Sequence, residues 1–155
     1  MAFQTERPPY EAYAAIAGTF FAGLGTVAAL ARRSPPASAL DLVALSAATF
    51  KAARTLSRDK VASFVREPFV EGEAWTGEGE RPAGDGLQRA LGELVTCTRC
   101  VGTWSAAALA SAQMLSPRFG RALTWTLAAG AANDFLQAGF AALCAKADEL
   151  EEKGA

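Results

Sequence analysis

The sequence predicts an all-α protein: a four-span transmembrane helical bundle with a cytoplasmic amphipathic helix and an acidic loop. Two observations support this fold. Apart from Asp41 and Asp134, the strongly charged residues of this 155-residue chain lie outside four apolar stretches. Charged residues, glycine and proline then concentrate between the second and third stretches. A chain of this length suits one domain, so we expect residues 1–155 to form a single integral membrane domain.

The first predicted span covers residues 12–31, which carry no charge and are followed by two arginines. About 20 apolar residues are enough for a helix to cross a bilayer. Small residues recur at every fourth position, a spacing that lets membrane helices approach closely. These predicted helix-packing residues are Ala14, Gly18, Ala22 and Thr26. The alternative is an alanine-rich helix buried in a soluble bundle.

The second predicted span, residues 38–53, is the weakest because its apolar part ends at Phe50. We expect its helix to start near Ser38, with Asp41 in the first turn, where the helix dipole favours an acid. Basic residues follow as a predicted interface cluster formed by Lys51, Arg54, Arg58 and Lys60. This cluster suits anionic lipid headgroups, and pairing with acidic residues of the chain is an equal alternative.

The central segment, residues 54–100, is predicted to be cytoplasmic. It contains an acidic loop, where six acids and one arginine lie between residues 67 and 85 among several glycines. Leu87, Leu91, Leu94 and Val95 then repeat at helical spacing, which predicts an amphipathic helix.

The third and fourth predicted spans are residues 101–117 and 122–145. Asp134 lies in the middle of the fourth, close to Asn133 and Gln137. Inserting a carboxylate at the depth of the bilayer centre costs about 3 kcal/mol of free energy, which makes Asp134 a candidate functional residue. It could serve as an ion or proton site, as the partner of Lys51 or Arg54, or as an interhelical hydrogen bond that fixes packing.

The distribution of positive charge predicts the topology. With four spans, the two termini and the central segment share one side and carry eleven Lys and Arg residues, whereas the two short loops carry four. The positive-inside rule then places both termini in the cytoplasm, in a multi-pass protein of the bacterial inner membrane.

Cys97 and Cys100 form the strongest chemical motif, and three interpretations compete. The pair could supply two of four thiolate ligands of a zinc ion, completed by Cys144, by Glu93 or by a second subunit. It could be redox-active, since Cys97 near a helix N-terminus and beside Arg99 would favour its thiolate. It could also be structural, two small residues packing where helices meet.

Several motifs together resemble a family of small bacterial membrane proteins of unknown function, some of which are labelled sporulation proteins. The similarity extends over roughly residues 14–143. The residues that carry it are Arg54, Arg58, Asp59 and Lys60, then Pro68-Phe69, residues 77–80, Gly92-Glu93-Leu94-Val95-Thr96-Cys97 with Cys100, Gly102 and Trp104, and Asp134-Phe135-Leu136. The resemblance implies a membrane location and a single domain, and it implies no reaction.

We expect a non-enzymatic membrane scaffold or assembly protein that forms homo-oligomers and contacts lipids. The net charge of −1 gives no basic excess for nucleic acid, and the absence of histidine removes a common catalytic base. One alternative is a small oligomeric channel or transporter that uses Asp134. The other is a membrane thiol-redox protein that uses Cys97 and Cys100.

Overall fold

The computed structural model describes residues 8–31, 38–77 and 79–154, without the side chains of residues 151, 152 and 154. The described residues are almost entirely helical, which confirms the predicted all-α class. Arg32 and Arg33, the residues after them through 37, and Glu78 lie outside the described residues. The elements, in order, are α1 (Tyr10–Leu30), α2 (Ala39–Arg58), a 3₁₀ turn (Lys60–Ala62), α3 (Ser63–Arg66), a 3₁₀ turn (Glu67–Phe69), β1 (Val70–Glu71), β2 (Arg81–Pro82), α4 (Gly86–Thr96), α5 (Thr98–Leu115) and α6 (Pro117–Gly154).

Helices α2, α5 and α6 pack together as a three-helix unit, and α1 contacts α4 and α5 beside it. Ser38 caps α2, because its hydroxyl accepts from the Asp41 N–H at 3.1 Å and its own N–H donates to Asp41 Oδ2 at 3.0 Å. Arg121, near the start of α6, lies 4.0 Å from Asp41 at the same end. The start of α1 lies at the opposite end, since the Tyr13 hydroxyl donates to Glu93 of α4. The four long helices therefore run alternately up and down.

Small side chains fill the interior of the three-helix unit. Its buried residues include Ala44, Ala48, Ala53 and Ser57 of α2, Val101, Ser105 and Leu109 of α5, and Thr124, Ala128 and Ala131 of α6. Large apolar side chains point outward from the same helices; Leu136 and Phe140 are 72% and 69% exposed. Small residues allow close helix approach, and the outer surface is strongly apolar.

One helix among the described residues, α1, is both long and apolar enough to cross a membrane, with a mean hydropathy of 1.6 and none of the tested stretch buried. The other predicted spans, 38–53, 101–117 and 122–145, coincide with helices but do not reach the same hydropathy. Polar residues lower the mean hydropathy of these helices: Lys51 and Arg54 in α2, Arg99 and Gln113 in α5, and Asn133, Asp134 and Gln137 in α6. The four-span arrangement therefore does not follow from helix composition.

A buried arginine that the sequence analysis did not single out organises the central segment. Arg66 is fully buried, and its Nε donates to both carboxylate oxygens of Glu80 at 3.1 Å. Its two other nitrogens donate to the carbonyl oxygens of Leu56 and Asp59, at 2.9 and 3.2 Å, and of Ala74, at 2.6 Å. One guanidinium thus joins the end of α2, the following turn and the acidic loop.

The acidic tail continues α6 instead of leaving the helix. Glu149 lies between Lys146 and Lys153 at helical spacing and pairs with both, with a distance of 2.8 Å to Lys146. These two lysines hold the pKa of Glu149 below its usual value. Pairs at this spacing support an exposed helix. The tail is therefore helical to Gly154.

Candidate functional site

Cys97 and Cys100 lie where α4 ends and α5 begins. Cys97 has extended backbone angles between the two helices and is the N-cap of α5, its sulfur accepting from the Cys100 N–H at 3.3 Å. The Cys100 thiol also donates to Cys97 Sγ, and the two sulfur atoms lie 2.6 Å apart. Both thiols are free. The start of α5 is fixed to the end of α2, since Thr98 Oγ1 and the buried Ser57 hydroxyl lie 2.9 Å apart.

The two thiols differ in acidity because they have opposite roles in this contact. The pKa of Cys97 is lowered, first by the hydrogen bond from the Cys100 thiol and further by the N–H groups of Cys100 and Arg99 at the helix start. Desolvation by its neighbours raises the pKa of Cys100 to about 11, and its bond to Cys97 adds to the rise. A thiolate, not a thiol, is the attacking species in disulfide exchange. Cys97 is therefore the more acidic thiol of the pair and Cys100 the less acidic one.

The part of the chain that the structure describes contains no closed zinc site. In the ranges 8–31, 38–77 and 79–154, no three Cys, Asp or Glu side chains come together as a ligand set. Two sulfur ligands leave a tetrahedral zinc site half complete. Among the described residues, neither Cys144 nor Glu93 forms a ligand set with Cys97 and Cys100, and completion of a zinc site by a second subunit stays a prediction.

An apolar groove of about 460 Å³ adjoins the dithiol, between α1 on one side and α4 and α5 on the other. Phe20 of α1 and Trp104 of α5 both line it and contact each other edge to face, with ring centroids 5.0 Å apart. Cys100 contributes to the wall of the groove. One of the two redox-capable sulfur atoms is thus next to a cavity of ligand size.

The groove also has a polar feature that the sequence analysis missed. The Tyr13 hydroxyl donates to Glu93, whose other carboxylate oxygen accepts from Arg89 Nε at 3.3 Å. Tyr13 and Glu93 both line the groove. They are 80 residues apart, and no local spacing reveals such a contact.

Asp134 forms an ion pair with Lys51. Lys51 Nζ and Asp134 Oδ2 lie 2.8 Å apart between α2 and α6, with the two side chains 25% and 36% exposed. The Lys51 stem lies over Gly130, where an added Cβ would meet it at ordinary contact distance. Phe50 and Phe135 stack beside the pair with centroids 5.3 Å apart. Of the partners proposed for Asp134, the structure brings Lys51 to it.

The other residues predicted around Asp134 and Lys51 are not brought together. Asn133 and Gln137 are exposed on α6. The predicted basic cluster is also dispersed. The guanidinium of Arg58 donates to the carbonyl oxygen of Gly77 at 2.9 Å, while Arg54 and Lys60 have no ion pair among the described residues.

The predicted packing ladder of α1 is not buried against the other described helices. Ala14, Gly18, Ala22 and Thr26 are all exposed, and a Cβ added at Gly18 would meet nothing within 4 Å. Instead, α1 packs inward with larger side chains, such as Phe20. The ladder face is therefore open on the outside of the chain.

Comparison with known proteins gives one match. The family model described as "Protein of unknown function (DUF1360)" matches residues 44–140. The match begins within α2, includes the whole central segment and the dithiol, and ends within α6, so α1 lies outside it. It is shorter than the resemblance expected over residues 14–143. The chain matches no curated protein and no solved structure.

Proposed function

Because the chain belongs to the DUF1360 family, whose description assigns no activity, we propose its function from the geometry: a membrane protein that carries out thiol–disulfide exchange through Cys97 and Cys100. The observation that carries the proposal is the asymmetric pair of thiols at the N-terminus of α5. It gives the two sulfur atoms different roles, which a purely structural pair would not need. This favours one of the two alternatives to the scaffold expected from sequence.

The proposed membrane location is supported by the distribution of side chains. Soluble proteins bury most of their large apolar residues, whereas the residues buried in the three-helix unit of this chain are mostly small. Several large apolar side chains of α2 and α6 are more than 60% exposed: Leu40, Leu42, Val43, Phe135, Leu136, Phe140 and Leu143. Such an extensive apolar surface needs a bilayer or a partner protein to cover it.

The four-span topology is also part of the proposal. Support comes from the alternating direction of α1, α2, α5 and α6, which brings the start of α1 to the same end as the central segment. This end carries most of the Lys and Arg residues and would face the bacterial cytoplasm. Thiols there are kept reduced, so a dithiol works transiently instead of as a permanent disulfide.

The exchange follows from the two thiol positions. The Cys97 thiolate attacks one sulfur of a substrate disulfide, forming a mixed disulfide and releasing one substrate thiolate. Cys100 loses its proton and attacks Cys97 Sγ, which closes the Cys97–Cys100 disulfide and releases the second substrate thiolate. Two electrons have passed to the substrate, and the released thiolates take up protons. The reverse sequence oxidises a substrate dithiol.

Redox titration of the full chain tests the proposal. In glutathione buffers, we expect Cys97 and Cys100 to interconvert as one two-electron couple. The Cys100→Ser variant should accumulate a mixed disulfide at Cys97 because the resolving thiol is missing. Cys144→Ser is the matched control, since Cys144 is exposed on α6 and should leave the couple unchanged. Independent alkylation of Cys97 and Cys100 without a couple would refute the exchange function.

A homo-oligomeric scaffold is the second candidate, and the open ladder face of α1 favours it. A second copy could pack against Ala14, Gly18, Ala22 and Thr26, because close approach needs small residues. Chemical cross-linking in native membranes tests this candidate with Gly18→Leu, which should lower the yield of cross-linked oligomer. Gly23→Leu is a matched control on another face of α1, where a Cβ also meets nothing within 4 Å. Equal yields for the two variants would remove this interface.

The channel or transporter alternative is weakened by the Lys51–Asp134 pair. A carboxylate that serves as a coupling site must be free to exchange an ion or proton, whereas Asp134 faces a lysine at 2.8 Å. Flux through proteoliposomes provides the decisive measurement. An ion leak that disappears in Asp134→Asn would restore the alternative.

A further inference from the structure

We propose that the groove beside the dithiol binds the ring of a membrane quinone, which accepts the two electrons of Cys97 and Cys100. This inference rests on the proposed exchange function and adds an electron acceptor to it. Three features of the structure carry it: the position of Cys100, the aromatic lining of the groove and a hydroxyl–carboxylate pair in its wall.

The position of Cys100 makes the groove more than an apolar gap. Cys97 Sγ and Cys100 Sγ lie 2.6 Å apart, and Cys100 belongs to the groove wall. A ligand in the groove would therefore be close to the sulfur pair without any movement of α5. A hydrocarbon chain at this position could not react with the thiols, whereas an electron acceptor could oxidise them.

The lining fits a flat ring. Tyr13, Phe20 and Phe21 of α1 and Trp104 of α5 supply aromatic side chains, and aromatic rings prefer offset-stacked or edge-to-face partners. A volume of about 460 Å³ is within the range of small-molecule sites. One wall of the groove is α1, the helix among the described residues that is long and apolar enough to span a bilayer. A lipid-soluble ligand could enter from that side.

The polar pair supplies what a quinone ring needs and a lipid tail does not. The Tyr13 O–H can turn from Glu93 and donate its hydrogen bond to a quinone carbonyl oxygen instead, and the Glu93 carboxylate can take up a proton released by the thiols and pass it on. Both side chains are partly buried rather than fully exposed. The groove thus combines apolar walls with a small number of polar groups, which is typical of ligand sites.

The electron transfer balances without another reagent. Cys97 and Cys100 lose two electrons and two protons as the S–S bond forms. The quinone gains the same two electrons and two protons, and its two carbonyl groups become the hydroxyl groups of the hydroquinone. Substrate dithiols then reduce the Cys97–Cys100 disulfide by exchange, which returns the site to its starting state.

The first experiment follows the reduction of a short-chain ubiquinone analogue by the prereduced full chain, using the loss of quinone absorbance. We expect Ala17→Phe to slow the reaction at least tenfold, because Ala17 lines the groove and a phenyl ring would fill it. Ala15→Phe is the matched control: it adds the same ring to an exposed face of α1 outside the groove and should change the rate less than twofold. Equal slowing by the two variants would overturn the inference.

A second measurement separates binding from electron transfer. In Cys97→Ser, which cannot form the disulfide, the quinone should still quench tryptophan fluorescence because Trp104 lies in the groove. We expect Ala17→Phe, but not Ala15→Phe, to remove this saturable quenching in the same background. Quenching that is linear and identical in both variants would mean that the quinone only partitions into detergent, and the inference would fail.

The outcomes also distinguish the inference from the function on which it rests. A chain that shows the glutathione couple but neither reduces nor binds the quinone retains the exchange function and loses the quinone site. A chain without a Cys97–Cys100 couple loses both.

Discussion

The three-helix unit and the central segment are stabilised in opposite ways. The unit of α2, α5 and α6 buries mostly alanine, serine and threonine, with Val101 and Leu109, and leaves many of its large apolar side chains outside. The central segment, residues 54–100, is organised around the fully buried Arg66, whose side chain has five hydrogen bonds. The first region has a weak apolar core of its own, whereas the second depends on one polar side chain and on close backbone contacts.

This contrast explains where chemistry can be located. A unit held by small residues can be covered by lipid, and its helices are then fixed by the bilayer. The central segment fixes the end of α4 and the start of α5 by specific polar contacts. Cys97 and Cys100 lie at the boundary, so the proposed dithiol combines a rigid helix N-terminus with access to the apolar groove.

Substitution of Arg66 should have the largest effect on stability. The Glu80 side chain is only 5% exposed, and Arg66→Met removes its ion-pair partner. The same substitution removes the Arg66 donors to the carbonyl oxygens of Leu56 and Ala74. Removing one partner of a buried ion pair costs about 3–5 kcal/mol. Urea unfolding in detergent, followed by limited proteolysis of the central segment, measures the loss.

The exposed Lys60→Met, in the same segment, is the control and should change the unfolding free energy by less than about 0.5 kcal/mol. The double variant Arg66→Met/Glu80→Leu should recover part of the loss, since no buried charge remains. If Arg66→Met and Lys60→Met unfolded at the same urea concentration, the central segment would not depend on this ion pair.

The next largest effect should come from a glycine substitution in the central segment, compared with one in the three-helix unit. A Cβ at Gly92 would overlap the carbonyl oxygen of Phe69 and lie 3.0 Å from Pro82 Cα, so α4 would have to move away from its neighbours. Overpacking of this kind costs about 1–3 kcal/mol. At Gly102 of α5 the nearest atom is Ala53 Cβ at 3.8 Å, an ordinary contact.

We therefore expect Gly92→Ala to lower the unfolding free energy and Gly102→Ala to leave it unchanged or raise it by up to about 1 kcal/mol. Chemical unfolding of both variants in the same detergent gives the comparison. Equal stability of the two variants would show that the central segment does not need its close backbone contacts.

The Lys51–Asp134 pair tests the three-helix unit itself. Asp134→Asn removes the attraction between α2 and α6, and we expect a loss of about 1 kcal/mol because interhelical polar contacts in membranes are individually weak. The double variant Lys51→Met/Asp134→Leu should be as stable as the wild type or more so, since an apolar contact can replace an ion pair.

Asn133→Ala is the matched control for the neighbouring exposed position on α6. A double-mutant cycle on Lys51 and Asp134 gives the coupling energy directly. A coupling energy of zero would mean that the pair contributes nothing to helix association, and Asp134 would again be a candidate for transport.

The sequence predicts the long helices well because uncharged runs and capping residues are local signals. Ser38 and Asp41 mark the start of α2, and the predicted spans coincide with α1, α2, α5 and α6 to within a few residues at most ends. The end of α6 is the exception. The predicted span stops at residue 145, whereas α6 continues through Lys146, Glu149 and Lys153, which have helical spacing.

The contacts of the central segment were not predictable in the same way. Three of the five oxygen atoms that accept hydrogen bonds from Arg66 belong to backbone carbonyls, which leave no trace in side-chain spacing. The acidic loop offers several carboxylates, and nothing local selects Glu80. The Tyr13–Glu93 contact joins two segments 80 residues apart. The two cysteines are recognisable as a motif, but their asymmetry depends on the position at which α5 begins.

The smallest effect on stability is expected at Cys97, at the boundary of the two regions. Its sulfur caps α5, and serine is a good N-cap, so Cys97→Ser should change the unfolding free energy by less than about 0.5 kcal/mol. Cys97→Ala lacks the acceptor and should cost about 1 kcal/mol. Thermal unfolding of both variants in the same detergent separates the structural role of Cys97 from its chemical role.

Alkylation completes this test. The pKa of Cys97 is lowered and that of Cys100 is raised to about 11, so the thiolate of Cys97 persists at lower pH. Near neutral pH, we expect iodoacetamide to modify Cys97 well before Cys100, as peptide mapping would show. The preference should diminish as the pH rises toward 11, because Cys100 then ionises as well. Faster modification of Cys100 near neutral pH would reverse the proposed roles, with Cys100 attacking and Cys97 resolving.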